Sequence, residues 1–379
     1  MSFEVNRLKA SDLDEIVSFL NNVFSEHNGT EMRFEKKFPR IFKSIDENMS
    51  WHYAVKDNGK ICGAAASYPL EYYVGDEVLK ISAGGNVAVS SDYRNQGIMQ
   101  IVMNKIAEDL PKENFDIAYL HGDRVRYRTF GFERCGVEYS FSFIKPKQTP
   151  NEYSFSDLRN EPKETVDIIS EIAKNQLSGL NRKSEEYIDS LTAQMRTPYI
   201  IKDSEKSIVG FMSANTEESH IAEIGLTDYS IFKDIISDFM HFAQLKRAVM
   251  GVPAYEYKIV KEAIDFADRY QIIQPGNFRV INFEKTVRAF MKAKGKYSPL
   301  ANGSMVIDSE IFGIWEFSNS NGKTSVNKTE KDADITLEGY SAYPFIFGTS
   351  QPVNLDAEEN IKLLAANWFP LPLYCPYLT

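Results

Sequence analysis

The segment VAVSSDYRNQGIM, residues 87–99, is typical of a strand that ends in a turn and runs directly into a helix. The turn holds Arg94, Asn95, Gln96 and Gly97. The first backbone N–H groups of a helix have no partner within the helix, and the helix dipole adds partial positive charge there. A pyrophosphate group suits this position, because Gly97 lets the backbone approach closely and Arg94 adds a full charge at the rim.

The helix after the turn is predicted from its apolar spacing. Apolar side chains recur at intervals of three and four residues, at Met99, Val102, Met103, Ile106 and Leu110. Pro111 is expected to end the helix, because proline removes a backbone donor. Strands are predicted at Val87–Val89 before the turn and at 115–120 after the helix. The chain has neither GxxxxGK-S/T nor GxGxxG with a following acidic residue, so the unit is not one of the two common nucleotide-binding units.

A second motif, YRTFGF, lies downstream at Tyr127–Phe132. The R-x-x-G core after V-x-V resembles the coenzyme A pyrophosphate loop of the GCN5-related N-acetyltransferases, which carry Y-x-x-F-G-F after the next strand. Alone, R-x-x-G is equally typical of a surface turn with a basic residue. Both motifs in this order and separation favour the acetyltransferase interpretation.

Composition and charge are those of a soluble globular protein. The chain has 379 residues, of which 43% are hydrophobic and 25% charged, so we expect two or three domains. No run of 18 apolar residues and no apolar leader are present, so we expect no membrane span and no signal peptide. The net charge of −10 argues against nucleic-acid binding. That charge is equally compatible with attraction of a cationic amine and with solubility alone.

Cysteines and histidines predict no metal site. Cys62, Cys135 and Cys375 lie far apart in no metal-binding spacing, and the five histidines form no cluster. Three separate cysteines fit a reducing cytoplasm, where they act as small buried hydrophobic residues.

Three domains are predicted, at residues 1–145, 146–284 and 285–379. The first contains both motifs and ends in the alternating strand at 137–143, before the polar segment KPKQTPNE at 145–152. The second repeats a similar order of helices and strands, with 277–283 as its last strand. Its counterpart of the turn, Leu226–Ser230, has no glycine and no basic residue, so we expect no phosphate site there.

The last domain is predicted to be small, with a basic helix at Thr286–Lys294 followed by strands. It ends in Trp368–Thr379, which is rich in aromatic residues and proline and carries no charged side chain. Chain ends are normally polar and frayed. This tail is therefore expected either to be tucked into the protein or to cover an apolar surface.

This order of domains resembles the Eis family (enhanced intracellular survival proteins) over essentially the full length. The resemblance implies an α/β (α+β) fold class with tandem GCN5-related acetyltransferase folds and a small sterol-carrier-like domain. In that family the second acetyltransferase fold is degenerate and binds no cofactor. Members use acetyl-CoA to acetylate primary amines, which implies an aminoglycoside-like, polyamine or lysine-type acceptor here. They are commonly hexameric, which implies a homo-oligomer.

The resemblance also implies roles for single residues. Tyr127 of the second motif is implied to be the general acid, and the main-chain carboxylate of Thr379 the general base. Phe24 and Glu26 match positions that line the acceptor pocket. Acetyl-CoA is implied to bind Val87, Ala88, Val89, Arg94, Asn95, Gln96, Gly97, Ile98, Met99 and Gln100.

The chemistry of these groups suits acetyl transfer. The reaction needs a base for the amine, polarisation of the thioester carbonyl and a proton for the thiolate. A strand N–H near Val89 suits the carbonyl oxygen, Tyr127 suits the thiolate, and the Thr379 carboxylate suits the amine proton. An alternative stays open, in which a non-enzymatic protein binds an apolar ligand in its C-terminal domain and keeps the acetyltransferase fold as a relic. Intact Arg94, Gly97 and Tyr127 favour the enzyme.

Overall fold

The computed structural model describes residues 3–349 and 355–376. Its strands are β1 (Val5–Arg7), β2 (His52–Asp57), β3 (Lys60–Val74), β4 (Glu77–Val89), β5 (Ile117–Leu120), β6 (Glu133–Cys135), β7 (Glu138–Ile144), β8 (Ser154–Asp157), β9 (Ser178–Leu180), β10 (Thr197–Lys202), β11 (Ile208–Asn215), β12 (His220–Leu226), β13 (Arg247–Pro253), β14 (Arg269–Ile273), β15 (Gly276–Val280), β16 (Gly303–Ser309), β17 (Gly313–Ser320), β18 (Lys323–Lys328) and β19 (Ile335–Leu337). Its helices are α1 (Leu13–Asn28), α2 (Phe34–Lys37), α3 (Asp46–Met49), α4 (Ile98–Lys112), α5 (Arg124–Arg128), α6 (Glu164–Lys174), α7 (Tyr187–Leu191), α8 (Phe232–Phe242), α9 (Tyr257–Phe266), α10 (Phe283–Tyr297), α11 (Ala342–Phe347) and α12 (Glu359–Trp368).

The described strands form three sheets. The first has the order β1-β2-β3-β4-β5-β15-β6, with β9 along the end of β3. The second has the order β14-β7-β13-β12-β11-β10-β8, and the third β18-β17-β16-β19. The first two sheets each contain antiparallel strands and one parallel pair, β4 with β5 and β12 with β13. The predicted α/β fold class is therefore confirmed.

Helix α4 follows the predicted apolar spacing. Its buried side chains are Ile98, Val102, Met103, Ile106 and Leu110, and they pack against the first sheet. Met99 is only half-buried, so the buried face begins at Ile98. Pro111 lies inside the last turn and the helix ends one residue later, at Lys112, a difference of the size usual at helix ends.

Two strands lie in the opposite sheet from the one that sequence order predicts. Strand β7, expected to close the first unit, pairs with β13 and β14 of the second sheet. Strand β15, expected to close the second unit, lies between β5 and β6 of the first sheet. The chain leaves the first sheet at Gly136, whose φ of +89° turns the backbone between β6 and β7. The two sheets are therefore joined by an exchange of strands.

The third sheet shares a core with the first. Helix α10 contributes Phe290 to the same apolar cluster as Trp315 of β17 and Ile81 of β4. The tail is part of this cluster, with Trp368 and Leu371 fully buried. The prediction that the tail is tucked into the protein is confirmed for its described part, residues 368–376.

Candidate functional site

The site begins where β4 and β5 separate. Their parallel pairing ends at Ala83, opposite Tyr119, although β4 continues to Val89. Beyond Ala83, β4 therefore borders an opening instead of a neighbouring strand. The Ser90 N–H donates to the Cys62 carbonyl of β3 at 3.0 Å, so strand alternation turns the Val89 N–H towards the opening.

A β-bulge shapes β4 at this opening. The register against β3 shifts between the pairs Ala64–Ala88 and Ala66–Gly85. Asn86 takes a φ of +54° within the bulge, and its amide donates to the Tyr68 hydroxyl. Bulges bend a strand and redirect its side chains, often beside active sites.

The predicted phosphate turn lies directly after this strand. Gly97 is the N-cap of α4 with a φ of +76°, and no side chain caps the helix. No acidic residue lies in the first turn of α4, so its N–H groups and dipole are available to an anion. A Cβ on Gly97 would meet no heavy atom within 4 Å, so its positive φ and not crowding is what requires glycine here.

The N-terminus of α4 is held close to β3 by a second glycine. A Cβ on Gly63 would lie 2.2 Å from Cγ2 of Ile98, the first residue of α4. Gly63 therefore fixes how near the helix and its N–H donors lie to the strand.

One cavity of about 1190 Å³ joins the opening, the turn and the second motif. Among the residues predicted to bind cofactor, those that line it are Val87, Ala88, Val89, Arg94, Asn95, Gly97, Ile98, Met99 and Gln100. Gln96 does not line it, and its amide instead donates to the Asp92 carbonyl at 3.2 Å. Tyr127 and Phe24 line the same cavity. Glu26 is exposed and lies outside this lining, and Thr379 lies outside the described residues.

Tyr127 is held in the wall of the cavity by its own motif. The Tyr127 side chain is 6% exposed, and Phe130 and Phe132 pack with it against α4. Gly122, with a φ of +125°, leaves room for the ring, since a Cβ there would lie 2.7 Å from Cε2 of Tyr127. Burial raises the pKa of Tyr127, and the neighbouring Arg126 guanidinium partly offsets this rise. The phenol therefore stays protonated at neutral pH and can donate a proton.

Several lining residues were not predicted. Lys37 on α2, Asn86 in the bulge and Arg126 beside Tyr127 all face the cavity. His121 also lines it, and desolvation lowers the pKa of its ring to about 4, with Arg134 adding to the effect. The sequence signal for the bulge is GGN at 84–86 directly before V-x-V, because such residues tolerate a positive φ.

A second cavity, of about 390 Å³, adjoins the first. Tyr119 and His121 line both cavities. Glu138 of β7 and Pro376 of the tail line only the second. The described tail therefore leads to the border of the cavity that holds Tyr127.

The second sheet has a similar opening, but its turn differs. The parallel pairing of β12 and β13 ends at Ile221, and Tyr374 of the tail lines the cavity beside Ala222 and Gly251. Before α8, the Asp228 carboxylate accepts from the Ser230 N–H at 2.9 Å. Asp234 adds a second acidic side chain in the first turn of α8, so two carboxylates disfavour an anion at this position.

Comparisons with known proteins agree with this geometry. Residues 4–135 match the family model of the acetyltransferase (GNAT) domain. This match covers about a third of the chain, at its N-terminal end. The phosphate turn and Tyr127 both lie within the matched residues. No curated protein shows significant sequence similarity to the chain.

Solved structures share the fold over the full length. A probable N-acyltransferase from Enterococcus faecalis is 14% identical, with a TM-score of 0.68 over 98% of each chain. A GCN5-related N-acetyltransferase from Anabaena variabilis is 14% identical, with a TM-score of 0.68 over 99% of this chain and 98% of that one. Eis1 from Mycobacterium abscessus is 12% identical, with a TM-score of 0.63 over 100% of this chain and 99% of that one. Identities this low show a common fold.

Two features are absent from the described residues, 3–349 and 355–376. None of their helices is both long and apolar enough to cross a membrane. Within the same ranges, no three His, Cys, Asp or Glu side chains are grouped so as to hold a metal ion.

Proposed function

We propose that the protein is an N-acetyltransferase that moves an acetyl group from acetyl-CoA to a primary amine. The observation that carries this proposal is the convergence of three groups on one cavity: the α4 N-terminus, the open edge of β4 and the buried Tyr127. Each supplies one requirement of the reaction, namely pyrophosphate binding, carbonyl polarisation and a proton for the thiolate.

The residues act in the following order. The first turn of α4 and Arg94 bind the pyrophosphate, and the Val89 N–H donates to the thioester carbonyl oxygen. The amine nitrogen attacks the carbonyl carbon, the carbon–sulfur bond breaks, and Tyr127 gives its proton to the sulfur. The proton that the nitrogen loses on forming the amide then restores the Tyr127 phenol. A free amine is needed for attack, so the proton of the ammonium form must be removed by a base.

We propose the main-chain carboxylate of Thr379 as that base. The described tail is buried as far as Cys375, and Pro376 lines a cavity together with His121. Three further residues reach at most about 10 Å. That reach suits a base acting in the neighbouring cavity of Tyr127.

The finer predictions belong to the same proposal. A tandem of acetyltransferase folds with an inactive second copy is supported by the self-capped turn at Asp228. On the basis of the sequence resemblance, we also propose that the protein is an Eis-type enzyme with a sterol-carrier-like third domain. The same resemblance leads us to propose a hexameric assembly and a cytoplasmic location. We also propose domain boundaries near residues 145 and 284. The first two of these segments each contribute one strand, β7 or β15, to the sheet of the other.

Calorimetric titration with acetyl-CoA tests the proposal directly. We expect one site per chain, because no acidic side chain lies in the first turn of α4, whereas Asp228 and Asp234 lie at the start of the corresponding helix α8. Absence of binding would overturn the proposal, and two sites per chain would show that the second sheet binds cofactor after all.

A chain extension tests the assignment of the base. Three residues added after Thr379 displace its carboxylate, so turnover should fall sharply while acetyl-CoA still binds. The same three residues added before Met1 serve as control. Full activity of the C-terminally extended protein would exclude the carboxylate as the base.

A further inference from the structure

The part of the cavity formed by α1, α2 and the segments next to them is lined by apolar side chains. Its members, here called the aromatic wall, are Val23, Phe24, Met32, Phe34, Phe38 and Ile41. The Phe34 ring centroid lies 5.0 Å from that of Phe24 and 5.8 Å from that of Phe38. Ala88 of β4 packs in the same apolar cluster, whereas Val89 packs with α4. The aromatic wall therefore lies on the opposite face of β4 from α4.

The charges that line the cavity are positive. No Asp or Glu is among the described residues that line it, although the whole chain has a net charge of −10. Its cationic side chains with fixed charge are Lys37, Arg94 and Arg126. Arg94 lies at the phosphate turn and Arg126 lies beside Tyr127. Lys37 is the cation next to the aromatic wall.

Lys37 differs from its charged neighbours in the chain. Arg40 lies 3.8 Å from a Glu186 carboxylate oxygen, and Lys43 lies 2.8 Å from one of Asp189. Within the described residues no carboxylate pairs with the half-buried Lys37. An ammonium group in a cavity wall with no carboxylate partner favours an anionic ligand group, because charge-assisted hydrogen bonds are the strong ones.

We infer that the acceptor is an aromatic monoamine that carries one anionic group. This inference rests on the proposed function and names the acceptor class of the same site. The ring of the acceptor packs against the aromatic wall, and its anionic group pairs with Lys37. A polycationic acceptor would instead bring several charges into a cavity whose described fixed charges are all positive.

The positive lining also favours the chemistry. A nearby like charge disfavours the protonated form of an amine and so lowers its pKa. The acceptor's amine is therefore more often neutral in the cavity than in water. The base then has to deprotonate a smaller fraction of the bound acceptor.

The test compares acceptors by the rate of coenzyme A release. The probes are phenylalanine, phenethylamine, spermidine and kanamycin. We expect kcat/KM to be highest for phenylalanine, by about tenfold or more over phenethylamine, as one charge-assisted hydrogen bond provides. Spermidine and kanamycin should be the poorest acceptors.

A variant identifies the group responsible. Lys37→Met should bring the ratio of kcat/KM for phenylalanine to that for phenethylamine close to one, because the loss falls on the acceptor that carries the anionic group. Lys36→Met is the matched control, because Lys36 is exposed on the same helix and does not line the cavity. In that control the ratio should be unchanged.

The outcomes separate this inference from the proposed function. A preference for spermidine or kanamycin, or an unchanged ratio in Lys37→Met, overturns the acceptor class and leaves the acetyltransferase intact. Acetyl-CoA binding without turnover of either aromatic amine also overturns the acceptor class. Absence of acetyl-CoA binding overturns the proposed function itself.

Discussion

Gly63→Ala should weaken acetyl-CoA binding although residue 63 does not line the cavity. The new Cβ would lie 2.2 Å from Cγ2 of Ile98 and 3.6 Å from its Cβ. Carbon atoms in contact lie about 3.5–4.0 Å apart, so the methyl group must move by roughly 1.5 Å. Ile98 is 2% exposed and β-branched, so its side chain cannot simply rotate away. The start of α4 must move instead, and its N–H donors move with it.

The size of the effect follows from that displacement. A misplacement of about 1 Å in a binding geometry costs up to about a hundredfold, and overpacking a core costs about 1–3 kcal/mol. We therefore expect the Kd for acetyl-CoA to rise by about ten- to a hundredfold, with a lower melting temperature. Calorimetric titration measures the first quantity and thermal unfolding the second.

Two further variants make the result specific. Ile98→Leu removes the Cγ2 atom that the new Cβ would meet. In the double variant with Gly63→Ala, much of the lost affinity for acetyl-CoA should therefore return. Gly295→Ala on α10 is the control, because a Cβ there meets no heavy atom within 4 Å. It should leave affinity unchanged and stabilise the protein by about 0.5–1 kcal/mol. Wild-type affinity in a folded Gly63→Ala protein would refute the role given to the α4 N-terminus.

Three other substitutions have expected outcomes. Tyr127→Phe should lower kcat by about 10²–10⁴-fold with little change in the Kd for acetyl-CoA, as loss of a general acid implies, and unchanged turnover would mean that Tyr127 only packs. Gly97→Glu should abolish acetyl-CoA binding in a folded protein, because its carboxylate lies at the helix N-terminus, whereas Gly97→Ala should mainly cost about 1–2 kcal/mol of stability from its positive φ. Burial raises the pKa of Glu138 to about 7 from 4.5, so the folded state binds more protons than the unfolded state between these values. Stability of the wild type should therefore fall by up to about 3 kcal/mol as pH rises from 4.5 to 7.5, and urea unfolding of Glu138→Gln should lack this fall.

The conformation of the turn at 94–97 was predictable from sequence because its determinants are local. Helix α4 shows its apolar period over four turns, and Gly97 marks the point where the chain needs a positive φ. The motif at Tyr127–Phe132 is likewise a short segment whose aromatic residues pack on the adjacent helix. Such features depend on neighbours within a few positions in the chain.

The strand exchange was not predictable in the same way. The alternation in β7 fits any sheet with one buried face, and its partners β13 and β14 lie more than 100 residues further along. Whether β7 closes the first or the second sheet depends on the turn at Gly136 and on the tail, where the Val137 N–H donates to the Leu373 carbonyl at 2.9 Å. Long-range contacts of this kind leave no local pattern.

The different positions of Phe24 and Glu26 could have been predicted from the geometry of an α-helix. Residues two positions apart in an α-helix lie about 200° apart around its axis. Phe24 and Glu26 on α1 therefore point away from each other, and the structure places Phe24 in the cavity wall and Glu26 in solvent. Lys37, by contrast, lies on a helix of four residues, too short for any period to show which side chain faces inward.

The second sheet shows how one topology can support a ligand site or a structural role. Its β12–β13 opening corresponds to the one that β4 and β5 form around the candidate site. There the Asp228 carboxylate caps the following helical turn, and Tyr374 of the tail lies at the opening. A capping carboxylate satisfies N–H donors within the chain and repels a phosphate, so self-capping and anion binding exclude each other at this position. The tail packs at this opening in the second sheet, and the same tail leads towards the cavity of Tyr127.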